Sequence, residues 1–273
     1  MNLKARPNLN FTIGKQFVNF GGYEYYVNSI RVREFSEFNN LLTAYQAGIS
    51  GNWQVNPDHE LCFQIVNNRN GNDEDIYPTG LPEGTAKAKI PFMYTVNWNS
   101  YYLDKTLQLR YATAVGQQTR KRYSYYFTCG NTYEKGPLLT YLDVMYTRQG
   151  IDQHGVVSRL PGTPHTAMNT EYLSIIGDVD YRVHPQWNVY VKGAYETARV
   201  YKSNGDFRKG MYRRSWNAQS SVEFFPFKQL DLFVFVLYTY RGVILEKAAT
   251  RMGAIEPDTH RISLGLVYSI PVF

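Results

Sequence analysis

Histidine, cysteine and clustered carboxylates are the side chains that most often carry chemistry, and their placement here argues against a reaction centre. The five histidines, His59, His154, His165, His184 and His260, fall in turns, in loops or at a strand start. None stands beside a strand serine in the tight array that a Ser–His hydrolase needs. The stretch Gly150-Ile151-Asp152-Gln153-His154-Gly155 is suggestive in composition only. Cys62 and Cys129 match neither a disulfide framework nor a Cys-x-x-Cys metal or redox site. Asn70-Gly71-Asn72-Asp73-Glu74-Asp75 is oxygen-rich enough for Ca²⁺ but lacks the EF-hand spacing with its final Glu, so an acidic solvated loop is the simpler reading. The sequence therefore assigns no catalytic residue, no metal ligand and no cofactor.

Charge repeated at a spacing of two is the other chemical signal, and it points to a lined passage. Arg110, Arg182 and Lys192 supply positive charge, and Asp143, Asp178, Asp180 and Glu223 negative charge, on the polar phase of alternating segments. From Trp216 to Phe224 the even positions are apolar or small, while Asn217, Gln219, Ser221 and Glu223 are polar. Trp187, Val189, Val191, Gly193 and Tyr195 oppose Asn188, Tyr190, Lys192 and Glu196. Leu173, Ile175, Gly177, Val179, Tyr181 and Val183 oppose Ser174, Ile176, Asp178, Asp180 and Arg182. Leu107, Leu109, Tyr111 and Val115 oppose Gln108, Arg110 and Ala112, and Tyr45, Ala47, Ile49 and Trp53 oppose Gln46, Ser50, Asn52 and Gln54. Such dyads set one face in an apolar environment and the other against water or polar groups.

The pattern predicts about twelve strands, roughly at 8–17, 42–55, 60–68, 89–99, 105–116, 121–131, 137–148, 171–183, 187–200, 212–225, 230–242 and 259–273. Many run about 10–14 residues, against about 5–6 for ordinary globular strands and about 9–11 for a tilted membrane strand. Tight turns at Asn56-Pro57-Asp58, Tyr102 to Lys105, Tyr133 to Gly136, His184-Pro185-Gln186 and Pro226-Phe227-Lys228 alternate with long polar connections at 69–88, 149–170, 201–211 and 243–258 and the long segment 18–41. Only the connection near Gln117 to Lys121 is short where this alternation calls for length. Trp53, Trp98, Tyr101, Tyr102, Trp187, Phe224, Phe225 and Phe227 cluster near strand ends, as an interfacial girdle does. The fold class is thus all-β, an antiparallel transmembrane β-barrel in a single domain over residues 1–273.

Composition agrees. The mean hydropathy of −0.41 and the absence of a long apolar run exclude a transmembrane helix but not a barrel, whose lumen and loops are polar. Tyr (24) and Phe (15) lift aromatics to 16%, which suits the girdle. Met1 to Pro7 is basic without an apolar h-region, so no signal peptide is visible. The net charge of +6 is compatible with anion handling, nucleic acid or an acidic surface. Nucleic acid is disfavoured, because the basic residues form no stripe interleaved with exposed aromatics.

Gly14-Lys15-Gln16-Phe17 followed by Phe20-Gly21-Gly22-Tyr23-Glu24-Tyr25 resembles the strand-then-loop entry of the phosphate-selective porin O and P family. Glu34 to Asn39 and Tyr45 to Ser50 are similar to its Bacteroidetes branch, and the resemblance is densest over 8–68. It implies a trimeric outer-membrane porin of about sixteen strands made with a signal peptide. About four strands fewer are visible here, so the expectation is a wall lacking its N-terminal part or a barrel of about twelve strands that closes by itself. A terminal Phe273 resembles the signal read by bacterial barrel-assembly machinery, although Ile262, Leu264, Leu266, Tyr268, Ile270 and Val272 leave it out of phase.

The expected function is passive diffusion of small hydrophilic solutes or ions with an anion bias, in the bacterial outer membrane. Arg31 and Arg33 on segment 18–41 would face passing anions if Gly21-Gly22 turn that segment into the lumen. A loop that merely packs on itself outside is the alternative. The mixed signs of the lining residues argue against carrying over phosphate specificity, since carboxylates repel that solute. Outer-membrane lipids and lipopolysaccharide, solutes and a homotrimeric assembly are the expected partners. A non-conducting structural barrel, a barrel enzyme and a soluble β-sandwich are the rivals.

Overall fold

The period of two becomes one continuous antiparallel sheet. The computed structural model describes residues 1–26, 45–67, 77, 80–86, 88–89, 91–160, 165–227 and 232–268. Thirteen strands follow one another in chain order. They are β1 (Asn2–Arg6), β2 (Leu9–Phe17), β3 (Tyr45–Asn56), β4 (His59–Asn67), β5 (Phe92–Tyr102), β6 (Leu107–Thr119) and β7 (Arg122–Lys135). After these come β8 (Leu138–Ile151), β9 (Met168–His184), β10 (Trp187–Val200), β11 (Gly210–Phe224), β12 (Leu232–Leu245) and β13 (Thr259–Tyr268). Among the described residues two four-residue helical turns accompany them, α1 (Tyr23–Tyr26) and α2 (Lys247–Thr250). This is the wall of an antiparallel β-barrel, with β1 and β13 as its two ends and no ladder between them among the described residues.

The count exceeds the expected twelve by β1. That strand is only five residues long and fully exposed, too short for its alternation to separate from a basic leader. It pairs with β2 through Asn2↔Thr12 and Leu3↔Phe11. The strands from β2 onward run from nine residues in β2 to 17 in β9, long enough to cross a hydrocarbon layer when tilted. Connections alternate as the sequence indicated, short at 57–58, 103–106, 136–137 and 185–186 and long at 18–44, 68–91, 152–167, 201–209 and 246–258. A short turn at 7–8 joins β1 to β2, and the turn expected at Pro226-Phe227-Lys228 runs into residues 228–231, outside the described residues. Arg120-Lys121 is the short exception on the long-loop side. The acidic stretch Asn70 to Asp75 and the C-terminal Phe273 lie outside the described residues.

The two faces separate cleanly by parity. Tyr45, Ile49, Phe63, Ile65, Tyr94, Val96, Leu142, Val179, Val191, Val222, Val236 and Leu264 are exposed on one face. A soluble sheet would not leave so contiguous an apolar band in water. Near the short turns Trp53, Trp98, Tyr102 and Trp187 are exposed on that face, with the Trp187 and Phe224 rings 4.7 Å apart across β10 and β11. Toward the long loops Tyr195 and Trp216 face one another at 4.3 Å. Phe225 departs from the girdle reading: it is buried on the other side, with the Arg182 guanidinium 3.7 Å above its ring.

The opposite face is polar and buried. Toward its long-loop end it carries an apolar cluster that includes Met145, Val157, Leu160, Tyr172, Phe207 and Tyr212, so connections fold inward there. Asp152 organises one of them. Its Oδ2 accepts the Val157 N–H at 3.0 Å, the Ser158 N–H at 2.7 Å and the Ser158 hydroxyl at 2.7 Å, and Tyr172 donates to Oδ1. Burial pushes this carboxyl above the usual carboxylate range.

The face assignment has a direct test. Val191→Arg, at an exposed outer position, is expected to destabilise the chain refolded in lipid vesicles by about 2–4 kcal/mol. A change within about 0.5 kcal/mol, the ordinary outcome at a water-facing surface position, would show that this face does not meet lipid.

Candidate functional site

The segment after β2 does not leave along the strand direction but crosses the polar face. The Asn19 N–H donates to Gln64 Oε1 at 2.7 Å, its side-chain amide donates to Cys62 Sγ at 2.8 Å, and Gln64 Nε2 donates to the Phe17 carbonyl at 2.9 Å, all on β4. Val18 and Phe20 then sink among Val66, Met93, Ala112, Ala114 and Tyr126, with the Phe20 and Tyr126 rings edge-on at 5.6 Å. Gly21 takes a φ of 115°, a conformation open to glycine at little cost. Gly22 passes so close to β8 that a Cβ there would collide with the Asp143 carboxylate. Its Cα also lies 2.7 Å from where a Cβ on Gly130 of β7 would stand.

Three groups pin the far end. Asp143 accepts the N–H groups of Tyr23 and Glu24, each at 2.9 Å, at the start of α1. The Tyr23 ring lies 4.7 Å from that of Tyr141. Lys192 Nζ on β10 meets Glu24 Oε1 at 3.1 Å, with side chains 1% and 0% exposed. From β4 to β10 is six strand steps, about 29 Å along the wall, and residues 19–24 bridge it with the side chains of Gln64, Glu24 and Lys192. The polar face is the concave one, since Thr128, Ser174 and Gln219 on it are buried while the apolar face is exposed, and the segment cuts across it as a chord.

The charged residues singled out by parity divide between this seam and the rest of the face. Lys192 stands directly opposite Asp178 on β9 and Gln219 on β11, so a carboxylate lies opposite it in the sheet and another reaches it from α1. Asp143, Asp178 and Lys192 are all buried beneath or beside residues 18–26. The other four sit nearer the short turns. Arg110 Nε donates to Asn99 Oδ1 at 3.1 Å, and the Asn99 amide donates to Glu60 at 3.3 Å. Asn188 Nδ2 donates to Asp180 at 2.7 Å and to Glu223 at 3.3 Å. Arg182 donates to the Pro185 carbonyl at 3.1 Å while stacking on Phe225. Arg31 and Arg33 lie outside the described residues.

Sequence reasoning missed Glu24, because α1 is one turn in a segment with no period. Arg213 and Arg214, adjacent in sequence, divide between the two faces. Arg213 faces inward, where Arg213 (3.6 Å) and Arg241 (2.9 Å) share the Glu256 carboxylate, whereas Arg214 faces outward and pairs with Glu246. The strand phase of β11 carried that distinction.

A curved wall of long antiparallel strands, apolar outside and polar within, defines a β-barrel protein of the bacterial outer membrane, of the porin type. The chain belongs to the phosphate-selective porin O and P family, whose model matches residues 3–270. In fold it is similar to the outer membrane channel DcaP of Acinetobacter baumannii, at 12% identity and a TM-score of 0.62 over 96% of this chain and 72% of that one. It is also similar to a loop-deletion mutant of OmpT, an outer membrane protein of Vibrio cholerae (12% identity, TM-score 0.57, 96% and 76% covered). A third likeness is to OccK8 (OprE) of Pseudomonas aeruginosa (12% identity, TM-score 0.54, 97% and 70% covered). No curated protein matches the sequence. Family and fold together make it a porin-like channel.

The seam makes a quantitative prediction. Lys192→Met leaves Glu24 buried without its cation and is expected to destabilise the docked segment by about 3 kcal/mol, read as faster hydrogen exchange at the Tyr23 and Glu24 amides. Glu24→Gln added to Lys192→Met should recover part of that protection. Additive losses in the double variant would mean that the two side chains are not coupled.

Proposed function

We propose that the chain forms a passive pathway for small hydrophilic solutes with an anion bias, narrowed by segment 18–41. The observation that carries this reading is the chord made by residues 18–26, held on the concave polar face by Gln64, Asp143 and Lys192. In this reading Asp143 and Lys192 act as anchors, and Asp178 fixes the charge balance around Lys192. The solute meets Arg110, Asp180, Arg182 and Glu223 on the short-turn side and Arg213 with Arg241 at the long-loop mouth. Arg31 and Arg33, expected on the same segment, lie outside the described residues. Fixed charge on the wall biases which ions enter, and the protein performs no covalent step.

Partial exposure of inward charges supports a wet interior. Arg110, Asp180 and Arg182 are only half-buried on this face, the side of the wall that does not meet lipid. Fixed charge in that position suits a water-filled passage. Phosphate preference is not part of the proposal, because carboxylates and guanidinium groups alternate along the same face.

A second reading has its own observation. Two fully buried charges of the wall, Asp143 and Lys192, are sealed beneath the segment, which is also what a plugged, non-conducting barrel with a structural or binding role would show.

Single-channel recording in a planar bilayer under a KCl gradient separates the two. Discrete steps with an anion-sided reversal potential are expected, and Arg110→Glu combined with Arg182→Glu should move that potential toward the cation side. An unchanged potential would remove these arginines from the lining. No steps from a chain with β-rich circular dichroism would transfer the assignment to the non-conducting barrel.

A further inference from the structure

Charge on the outward face calls for its own explanation, since that face otherwise carries the apolar belt. Arg148 on β8, Glu171 on β9 and Arg199 on β10 lie directly opposite one another across adjacent strands. All three have the outward parity of Leu142, Ile175 and Val191, at the end that leads into the long loops. Arg148 Nε is 3.7 Å and Arg199 Nε 3.4 Å from the two oxygens of Glu171. The arginine side chains are 49% and 44% exposed and the glutamate only 15%. Arg214 on β11, opposite Thr197 and so two residues along β10 from Arg199, adds a further outward arginine, 42% exposed and paired with Glu246.

We propose that this row binds the phosphate groups of a membrane-anchored phosphorylated glycolipid in the outer leaflet. Long loops of outer-membrane barrels are extracellular, which sets the row at the outer headgroup level. Each guanidinium has five N–H donors in a planar fork suited to phosphate, whereas the one carboxylate shared by Arg148 and Arg199 offers about four acceptor sites. The Arg148 guanidinium lies 3.9 Å over the Tyr201 ring, a stacking that orients the fork before any ligand arrives. Glu171 stands between the two arginines and holds them two strand steps apart, about 9.6 Å, a separation that two phosphates of one headgroup can span.

The surface below the row selects an amphiphile over a free anion. Leu173 and Ile175 continue the outward phase of Glu171 down β9, and the Tyr195–Trp216 pair flanks them at the depth where rings meet headgroups. A ligand with acyl chains under its phosphates satisfies both the guanidinium row and this band, whereas inorganic phosphate satisfies only the row. The site stands on the opposite side of the wall from the solute pathway and is independent of the transport reading.

The test is native mass spectrometry of the full chain, purified in mild detergent and titrated with bis-phosphorylated lipid A. Micromolar retention is expected for the wild type, and Arg148→Gln, Arg199→Gln and Arg214→Gln together should weaken it by at least about tenfold. Equal retention by that variant would overturn the proposal. Equal retention of enzymatically dephosphorylated lipid A by the wild type would do the same, and this arm stands even if the triple variant fails to fold. Displacement of bound lipid by millimolar inorganic phosphate would make the row a free-anion site and also overturn it.

Discussion

In a hydrocarbon layer each backbone N–H and C=O must find its partner within the protein, and that requirement organises the rest of this molecule. It commits the chain to long paired strands, and pairing in turn commits every side chain to one of two faces. Once β8, β9 and β10 are in register, Asp143, Asp178 and Lys192 have no access to lipid, and Leu142, Val179 and Val191 have none to the polar interior. The ends of the wall feel the same constraint. With thirteen strands alternating in direction, β1 and β13 run the same way, so a ladder between them would be parallel where all the others are antiparallel.

A segment laid across the polar face raises a second problem, because a charge sealed beneath it has neither bulk water nor lipid as its neighbour. The structure resolves it with reach. Glu24 meets Lys192 across 168 residues of sequence, and Asp143 takes two backbone N–H groups from the same turn, so charges from distant strands become ligands for one short segment. Breaking one partner of such a pair costs more than the pair contributes, since the remaining charge stays desolvated. That asymmetry gives the docked segment a defined position even though it lacks strand structure of its own.

Much of this was legible in the sequence, for a local reason. A period of two is a property of the backbone, so parity alone put Arg110, Asp143, Asp178, Asp180, Arg182, Lys192 and Glu223 on the polar face without knowledge of the register. The alternation of short turns and long connections was equally visible, down to the short link at Arg120-Lys121. β1 was missed because five residues give too little alternation to distinguish a strand from a basic leader. The partners were not legible, because parity names a face and not a neighbour. Nothing in Phe20-Gly21-Gly22-Tyr23-Glu24 announces that its carboxylate will meet β10, and the direct opposition of Lys192 and Asp178 depends on a register that single residues do not encode.

Net charge is the quantity most easily overread in such a chain. Arg213 and Arg214 are neighbours in sequence and contribute equally to the total of +6, yet one shares an inward carboxylate with Arg241 and the other faces outward. Charges separated by more than about 8 Å of electrolyte are largely screened at physiological ionic strength. A permeating ion is therefore governed by the inward set, and a lipid headgroup by the outward row of Arg148, Arg199 and Arg214. The excess of basic residues resolves into two surfaces with different solvents, assigned by strand phase, so a substitution that preserves total charge while shifting it by one residue would exchange an effect on solutes for an effect on lipid.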